Sequence, residues 1–453
     1  MRSFLLRHLR MPFVRDVATL QVGTFAIMGM QLVSSIIIAR LMGPRLLGLY
    51  ALTFTIIGTV GMLTDLGQNY SVTTLLPEAY GRKSPEEVAG VMRYFLRVAL
   101  LWVYPVTLLL LLATPFVIRF FSPDNDIAFW VQLGLLTLFC LPIHDLLSLT
   151  LQSARKIVPL TVVDIVWNTL DIGLPLLLLL WERSVTALVL GRVASAAAKA
   201  ALSPLLWRLY LKGDPMLPSI SSLRGSTSSM HRGLTLGLWI AADKQVGKLS
   251  GYVPTYLLGL LGSATAIGQF RVLISYINIA FMFSSNVGRL MSSVLPYLYA
   301  KNTKNMTRAF WKGNIANMLL TFVILVPLML LGNTGLTFLY GPAFALPKAA
   351  YLLMLIAGID GITVGFGSYY RIHHALAFAI TSQVFAVICG VIVWLCTFRS
   401  VPAIIAVVLY HVTNTLSSKV SHFINMWIIA ARDRRAARVS EPIMDPVTTD
   451  VGV

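Results

Sequence analysis

Six positions in the second half of the chain recur at helical spacing. Arg271, Ser275, Asn278, Met282, Ser285 and Arg289 lie 4, 3, 4, 3 and 4 residues apart. That spacing puts them on one helix face, a polar stripe with an arginine towards either end. Guanidinium groups suit phosphate, because the planar fork donates two hydrogen bonds at once. Arg289, long and near a helix end, is also placed to snorkel to a membrane interface. Lys244 and Lys248 are four apart and share a face beside Asp243. Lys419 stands among His411, Asn414, Ser418, His422 and Asn425 in a third apolar run. With only Asp243 and Asp360 against them, these cations leave a positive surplus inside apolar sequence, which an anionic substrate would neutralise.

The first half has the opposite sign. Asp65 continues a stripe of Thr55, Thr59, Met62, Asn69 and Thr73, and His144-Asp145 form an adjacent pair. These groups, with Asp243 and Asp360, are candidates for ion or proton coupling. Asp164 and Asp171 are seven apart, as are Arg192 and Lys199. If the chain turns near Glu182, equal depth pairs Asp171 with Arg192 and Asp164 with Lys199, as structural ion pairs between two helices. Polar stripes of this kind suit a hydrated cavity. The alternative is hydrogen-bonded packing between helices, worth about 0.6–2 kcal/mol per contact.

Signals for catalysis are thin. Asp124-Asn125-Asp126 resembles the paired acids of membrane glycosyltransferases, but a lone DxD is weak evidence, no sizeable extramembrane domain is there to bind a sugar donor, and a polar turn after Pro123 is the favoured reading. No nucleotide-binding lysine loop is present. Cys140, Cys389 and Cys396 have no CxxC spacing and lie in apolar stretches, so they read as small buried hydrophobes. The sequence therefore gives no catalytic set, no metal site and no cofactor.

The elements that must carry these residues are set by composition. Hydrophobic residues make up 57% of the 453 and charged residues 12%, against about 25% charged in soluble domains. Mean hydropathy is +0.77. A soluble enzyme, a disordered chain and a disulfide scaffold are excluded, leaving an all-α polytopic membrane protein. Stretches of about 20 apolar residues place about twelve transmembrane helices at 17–39, 47–70, 95–118, 127–151, 158–181, 184–207, 234–258, 264–290, 310–331, 346–370, 374–397 and 402–430.

Lys and Arg exceed Asp and Glu by 36 to 18, which in a soluble protein would suggest nucleic acid. Here the excess gathers in the loops on the side of the termini. The opposite side keeps only Arg40, Arg45, Arg119, Arg183, Lys348 and Arg399. The positive-inside rule then puts both termini in the cytoplasm, and nucleic acid is not needed as a partner.

Five segments follow. Residues 1–15 form a cytoplasmic amphipathic segment and 16–210 a six-helix lobe. A cytoplasmic linker spans 211–232, a second six-helix lobe 233–431, and a cytoplasmic tail 432–453. A shift of 219 residues aligns the lobes at three places: Gly43 with Gly262, TTLLPEAYGR at 73–82 with SSVLPYLYAK at 292–301, and Phe121-Ser122-Pro123 with Tyr340-Gly341-Pro342. Six spans per unit keep the repeats in the same orientation.

ARLMGPRLLGLYAL at 39–52, DLG at 65–67, VLPYLYAK at 294–301 and LTFLYGPAFALPKAAYLLMLIAGI at 336–359 together resemble one family. It is the Wzx-type oligosaccharide flippases, or polysaccharide transporters, of the multidrug/oligosaccharidyl-lipid/polysaccharide exporter superfamily. The resemblance implies two six-helix lobes around a central cavity in the bacterial inner membrane. It implies movement of a polyprenyl-pyrophosphate-linked oligosaccharide by alternating access. Implied partners are the lipid-linked glycan, membrane lipids and polysaccharide polymerase or synthase components. That family often lines its first lobe with basic residues, whereas here the surplus lies in the second. On this reading Arg271, Ser275, Asn278, Arg289, Lys244, Lys248 and Lys419 are the candidate substrate cavity. A multidrug exporter and a lipid II flippase of the same superfamily remain alternatives. So do a membrane-embedded polymerase or ligase and a non-transporting synthase subunit.

Overall fold

A computed structural model describes residues 12–121, 125–218, 230–261, 263–282, 303–373 and 375–440, with 287–288, 291 and 295. Outside the described residues lie the amphipathic start, most of the linker, the DxD position Asp124, the repeat matches at Gly262 and, apart from Leu295, at 292–301, and the stripe residues Ser285 and Arg289. The side chain of Asp243 is also outside them.

Helix α1, Pro12–Thr64, holds the first two expected spans. Its apolar part, 21–64, would be about 66 Å long as a straight helix at 1.5 Å per residue, twice the thickness of a bilayer core. The bend is at Gly43 (φ 70°). Pro44 bars its predecessor from the helical region, and a positive φ is open to glycine at little cost. After Thr64 the chain turns again: Asp65 Oδ1 accepts the Gly67 amide at 2.9 Å and Gly67 takes φ 72°. Helix α2, Gln68–Gly81, then completes the second span.

A second hairpin joins α3 (Pro85–Val98), a π turn at Ala99–Val103 and α4 (Tyr104–Phe121) to α5 (Asn125–Leu135) and α6 (Thr137–Ser153). Helices α7 (Ile157–Trp181) and α8 (Val185–Leu211) finish the first half. The second half contains α9 (Met230–Leu260), α10 (Ala264–Phe281) and α11 (Thr303–Tyr340, bent at Gly332). It ends with α12 (Lys348–Met354), a 3-10 stretch at Leu355–Thr363, α13 (Phe366–Ile372), α14 (Leu376–Thr397) and α15 (Ala403–Ser440). Serines begin several helices: Ser84, Ser184 and Ser263 each accept the amide three residues on.

Among the described residues, nine helical stretches are long and apolar enough to span a membrane. The expected seventh span is not among the nine. It is helix α9, but it carries Lys244 and Lys248. Nor is the tenth, which is broken into α12, the 3-10 stretch and α13. At the C-terminal side α15 continues to Ser440, past the expected lobe boundary at 431.

The outer surface is apolar and the interior is partly polar. Leu109, Phe116, Leu177, Leu330 and Trp427 are exposed around the belt, while Thr53, Ser71, Ser195, Asn314 and Ser382 are wholly buried. This inversion of the soluble pattern is what a hydrocarbon solvent requires. Cys396 is exposed in the belt and Cys140 and Cys389 half-buried, so the expectation of three buried cysteines does not hold.

The two halves meet at both ends of the molecule. At the end formed by Gly43, Ser184, Ser263 and Tyr340, the start of the second span packs on α10. Gly48 lies so close that a Cβ there would stand 1.7 Å from the Ala264 carbonyl oxygen, and a Cβ on Gly268 1.9 Å from that of Pro44. Arg40 adds donors to the Phe338 and Leu339 carbonyls of α11. A single apolar cluster joins Ile38, Met42 and Leu188 to Leu258, Phe270 and Tyr340 at this end. At the end formed by Arg82, Ala154 and Leu211, α2 meets α9, where Ser71 Oγ donates to the Gly233 carbonyl at 2.7 Å.

Candidate substrate cavity

Between the halves, behind the Gly48–Gly268 contact, lies a cavity of about 560 Å³. Helix α10 contributes Arg271, Ser275, Asn278 and Met282, four of the six residues of the predicted stripe. Their 4-3-4 spacing turns one face inward while Leu273, Tyr276, Ile277 and Ala280, on the opposite side, are buried in the apolar cluster. Arg271 forms no ion pair or hydrogen bond among the described residues, so its guanidinium faces the cavity uncompensated.

The first half supplies the facing wall. Met28, Gln31 and Ser35 come from α1 before its bend and Tyr50 from beyond it; Asn168 and Asp171 come from α7, and Arg192 from α8. Gln31, Ser35 and Tyr50 were not singled out in the sequence. The signal was there in part: Thr24, Met28, Gln31 and Ser35 repeat at 4, 3 and 4, the same helical face as on α10. Tyr50 carried no such pattern, because its neighbours on either side are apolar.

The ion pairing differs from the depth-matched expectation. Asp171 Oδ2 accepts Lys199 Nζ at 3.0 Å and Oδ1 accepts Ser195 Oγ at 2.6 Å. Arg192 instead donates Nε to the Tyr50 hydroxyl at 3.2 Å. The register explains this. Gly191 abuts the backbone of Pro175, so one turn further in, Asp171 stands level with Ser195 rather than Arg192. Lys199 reaches back one turn along its flexible stem. Asp164 is thereby not the partner of Lys199; it lines a smaller hollow beside the main cavity.

Charge in the cavity is consequently one-sided. Asp171 is matched by Lys199, which leaves two cations on the lining without a carboxylate of their own among the described residues: Arg192, half-buried and bonded to Tyr50, and the exposed Arg271. The basic lining is therefore shared between the halves, rather than confined to the second half as the count of cations had indicated.

Other candidates are placed elsewhere. Lys244 and Lys248 are exposed and do not line the cavity; Lys248 Nζ is 3.9 Å from Asp65 Oδ2. Lys419 Nζ is 2.6 Å from Asp360 Oδ1 and 2.8 Å from Thr363 Oγ1, tying α15 to the 3-10 stretch. Asp145 accepts Asn69 Nδ2 at 2.9 Å, and its other oxygen is 3.5 Å from His144 Nε2. The stripe on the second span is mainly packing, since Thr59 bonds the Tyr256 hydroxyl at 2.7 Å. Much of the α15 stripe is packing too. Asn425 bonds Ser382 Oγ at 2.8 Å and His422 Nδ1 the Tyr370 hydroxyl at 2.8 Å. Of the three stripes, the one on α10 faces open space.

Residues 13–300 match the family model described as polysaccharide biosynthesis protein. The chain belongs to that family. Solved structures agree on the fold. An inward-facing multidrug resistance MATE family transporter of the MOP superfamily superposes with a TM-score of 0.71 at 13% identity, covering 91% of this chain and 99% of that one. An outward-facing structure of such a transporter gives 0.70 at 13% identity, over 92% and 96%. A MOP superfamily transporter from Pyrococcus furiosus, described by the reverse polarity of its binding pocket, gives 0.67 at 13%, over 92% and 96%. No curated protein matches in sequence. The chain is thus a two-lobed helical membrane protein of the polysaccharide biosynthesis family, built on a transporter fold.

Proposed function

We propose that this protein carries a polyprenyl-pyrophosphate-linked oligosaccharide across the bacterial inner membrane, with the diphosphate held between Arg192 and Arg271. The observation that carries the reading is the unpaired Arg271 guanidinium in a cavity whose carboxylate, Asp171, is already matched by Lys199. Bidentate donors in a site partly removed from bulk water favour a diphosphate. Export of a cationic drug would need the opposite arrangement, an unpaired carboxylate facing paired arginines.

Both termini lie in the cytoplasm on this reading, so the Gly43 end faces outward and the Arg82 end inward. The polar head would cross through the cavity while the isoprenoid chain stays in the apolar belt. His144-Asp145 with Asn69, and Asp65 with Lys248, lie off the substrate path. Both clusters are suitably placed for a proton or ion to act on the second span. Polymerase or synthase components would take the glycan on the outer face.

The test uses cells lacking this chain and supplied with variants. Arg271→Glu should abolish surface polysaccharide and cause lipid-linked oligosaccharide to accumulate, at normal protein abundance, with Arg271→Lys intermediate. Full export by Arg271→Glu would overturn the proposal.

A further inference from the structure

Contacts at the Gly43 end fix the level of the two arginines. A Cβ on Gly48 would stand 2.9 Å from the Gly268 amide nitrogen, so these two residues lie side by side. Tyr50, which bonds Arg192, is two residues beyond Gly48, and Arg271 is three beyond Gly268. Both arginines therefore stand about one turn behind that contact, at the outer end of the cavity. Helix α10 runs inward from Ser263, and Ser275 and Asn278 follow Arg271 on its cavity face by four and seven residues. At 1.5 Å per residue they lie about 6 and 11 Å nearer the cytoplasmic end. On the facing wall Gln31 is already bonded to Asn168, and Asp171 to Lys199. Beneath the cationic level, α10 thus presents an uncharged polar one.

Ser275 is half-buried and Asn278 exposed, and neither makes a hydrogen bond among the described residues. Other hydroxyls within the spans behave differently: Thr55, Thr59 and Ser203 each donate to the carbonyl four residues back. Ser275 keeps its proton and lone pairs for the cavity, and Asn278 keeps its whole carboxamide. A carboxamide donates and accepts side by side, and a hydroxyl does both from one atom. Such a set matches neighbouring hydroxyls on a sugar ring, one donating to Asn278 Oδ1 and the next accepting from Nδ2. Met28 and Met282 line the same space, and their flexible thioethers can settle against the C–H face of the ring.

We infer that Ser275 and Asn278 form a glycan subsite, which binds hydroxyls of the sugar next to the diphosphate on the cytoplasmic side of the arginines. This rests on the lipid-linked reading of the cavity and gives the cargo an orientation in it. The diphosphate stands at the outer end, and the first sugar lies beneath it. The two arginines hold the part common to all such substrates. Ser275 and Asn278 read the part that varies, because a sugar lacking adjacent hydroxyls there forfeits the paired bonds to Asn278.

Purified full-length protein in nanodiscs tests this with two probes. One is lipid-linked oligosaccharide extracted from cells lacking this chain; the other is undecaprenyl diphosphate without sugar. Wild-type protein should bind the glycosylated probe at least about tenfold more tightly, the worth of one or two good hydrogen bonds. In Ser275→Ala, Asn278→Leu protein that ratio should fall to near one, while undecaprenyl diphosphate binds as before. Ser275→Ala alone, which removes a single oxygen, should lower the ratio at least about twofold and serves as the second variant if the double change does not fold. Orientation is read from Met282→Cys in a protein without its native cysteines, where the glycosylated probe should slow maleimide labelling more than the bare one. An undiminished ratio in the variants, no preference of the wild type for the glycosylated probe, or labelling no slower with that probe than with the bare one overturns the glycan subsite alone. Binding of neither probe by the wild type overturns the lipid-linked reading itself.

Discussion

Replacing Gly48 with alanine should loosen the closure of the cavity at the Gly43 end. A Cβ at that position would stand 1.7 Å from the Ala264 carbonyl oxygen, whereas Cβ atoms essentially never approach a neighbour within 3.0 Å. The second span and α10 must therefore separate by at least about 1.3 Å, the difference between those two distances. The obstacle is a backbone oxygen within a helix, so no side chain can rotate away. Overpacking of this kind costs about 1–3 kcal/mol. Because the strain is relieved when the helix ends part, it falls on the closed arrangement alone. The closed-to-open equilibrium then shifts by about 5- to 150-fold.

Thiol labelling at Ser275→Cys, which lines the cavity, reads this directly. Cys140, Cys389 and Cys396 are replaced first, since Cys396 is exposed. A membrane-impermeant maleimide added from outside should label Ser275→Cys faster in the Gly48→Ala protein by a factor in that range. Equal labelling at equal abundance would refute the claim that the Gly48–Ala264 contact closes the cavity.

Two ion pairs yield further predictions. Lys199→Met leaves Asp171 with Ser195 alone. Breaking a fully buried pair costs about 3–5 kcal/mol, and the partial opening of Asp171 to the cavity reduces this to about 1–3 kcal/mol. Adding Asp171→Asn should recover most of the loss in thermal unfolding of the purified protein. Coupling of Asp171 to Arg192 in place of Lys199 would contradict the observed pairing. Lys419→Met should likewise lower stability by about 1–2 kcal/mol, by freeing the 3-10 stretch at Asp360 from α15. A Tm unchanged from wild type would show that contact to be dispensable.

Helix placement was largely legible in the sequence because the bilayer imposes a strong length and polarity constraint on each span. The stripe on α10 was legible for the same reason: polar residues at 4-3-4 spacing within apolar sequence define a face. What that face meets was not legible. The stripes of Thr55–Thr73 and His411–Asn425 have similar spacing, yet Thr59 meets Tyr256 and Asn425 meets Ser382. Spacing defines an angle around one helix and carries no information about the neighbour at that angle.

The pairing of Asp171 failed for a related reason. Counting from the turn assumes that the helices leave it level, whereas the contact of Gly191 with Pro175 sets the register of α7 against α8. Once Asp171 goes to Lys199, Arg192 becomes available to the cavity. Counting cations in each half could not have shown this, because it depends on which partner each carboxylate takes.

The central claim is that an arginine-lined cavity moves a lipid-linked glycan. Purified protein in proteoliposomes containing lipid-linked oligosaccharide tests it most directly, with a membrane-impermeant glycan oxidant reporting which leaflet holds the sugar. Wild-type protein should bring the protected half of the glycan into reach of the oxidant, and Arg271→Glu protein should leave it protected as in empty liposomes. Continued protection with the wild type, or equal exposure with Arg271→Glu, would contradict the account.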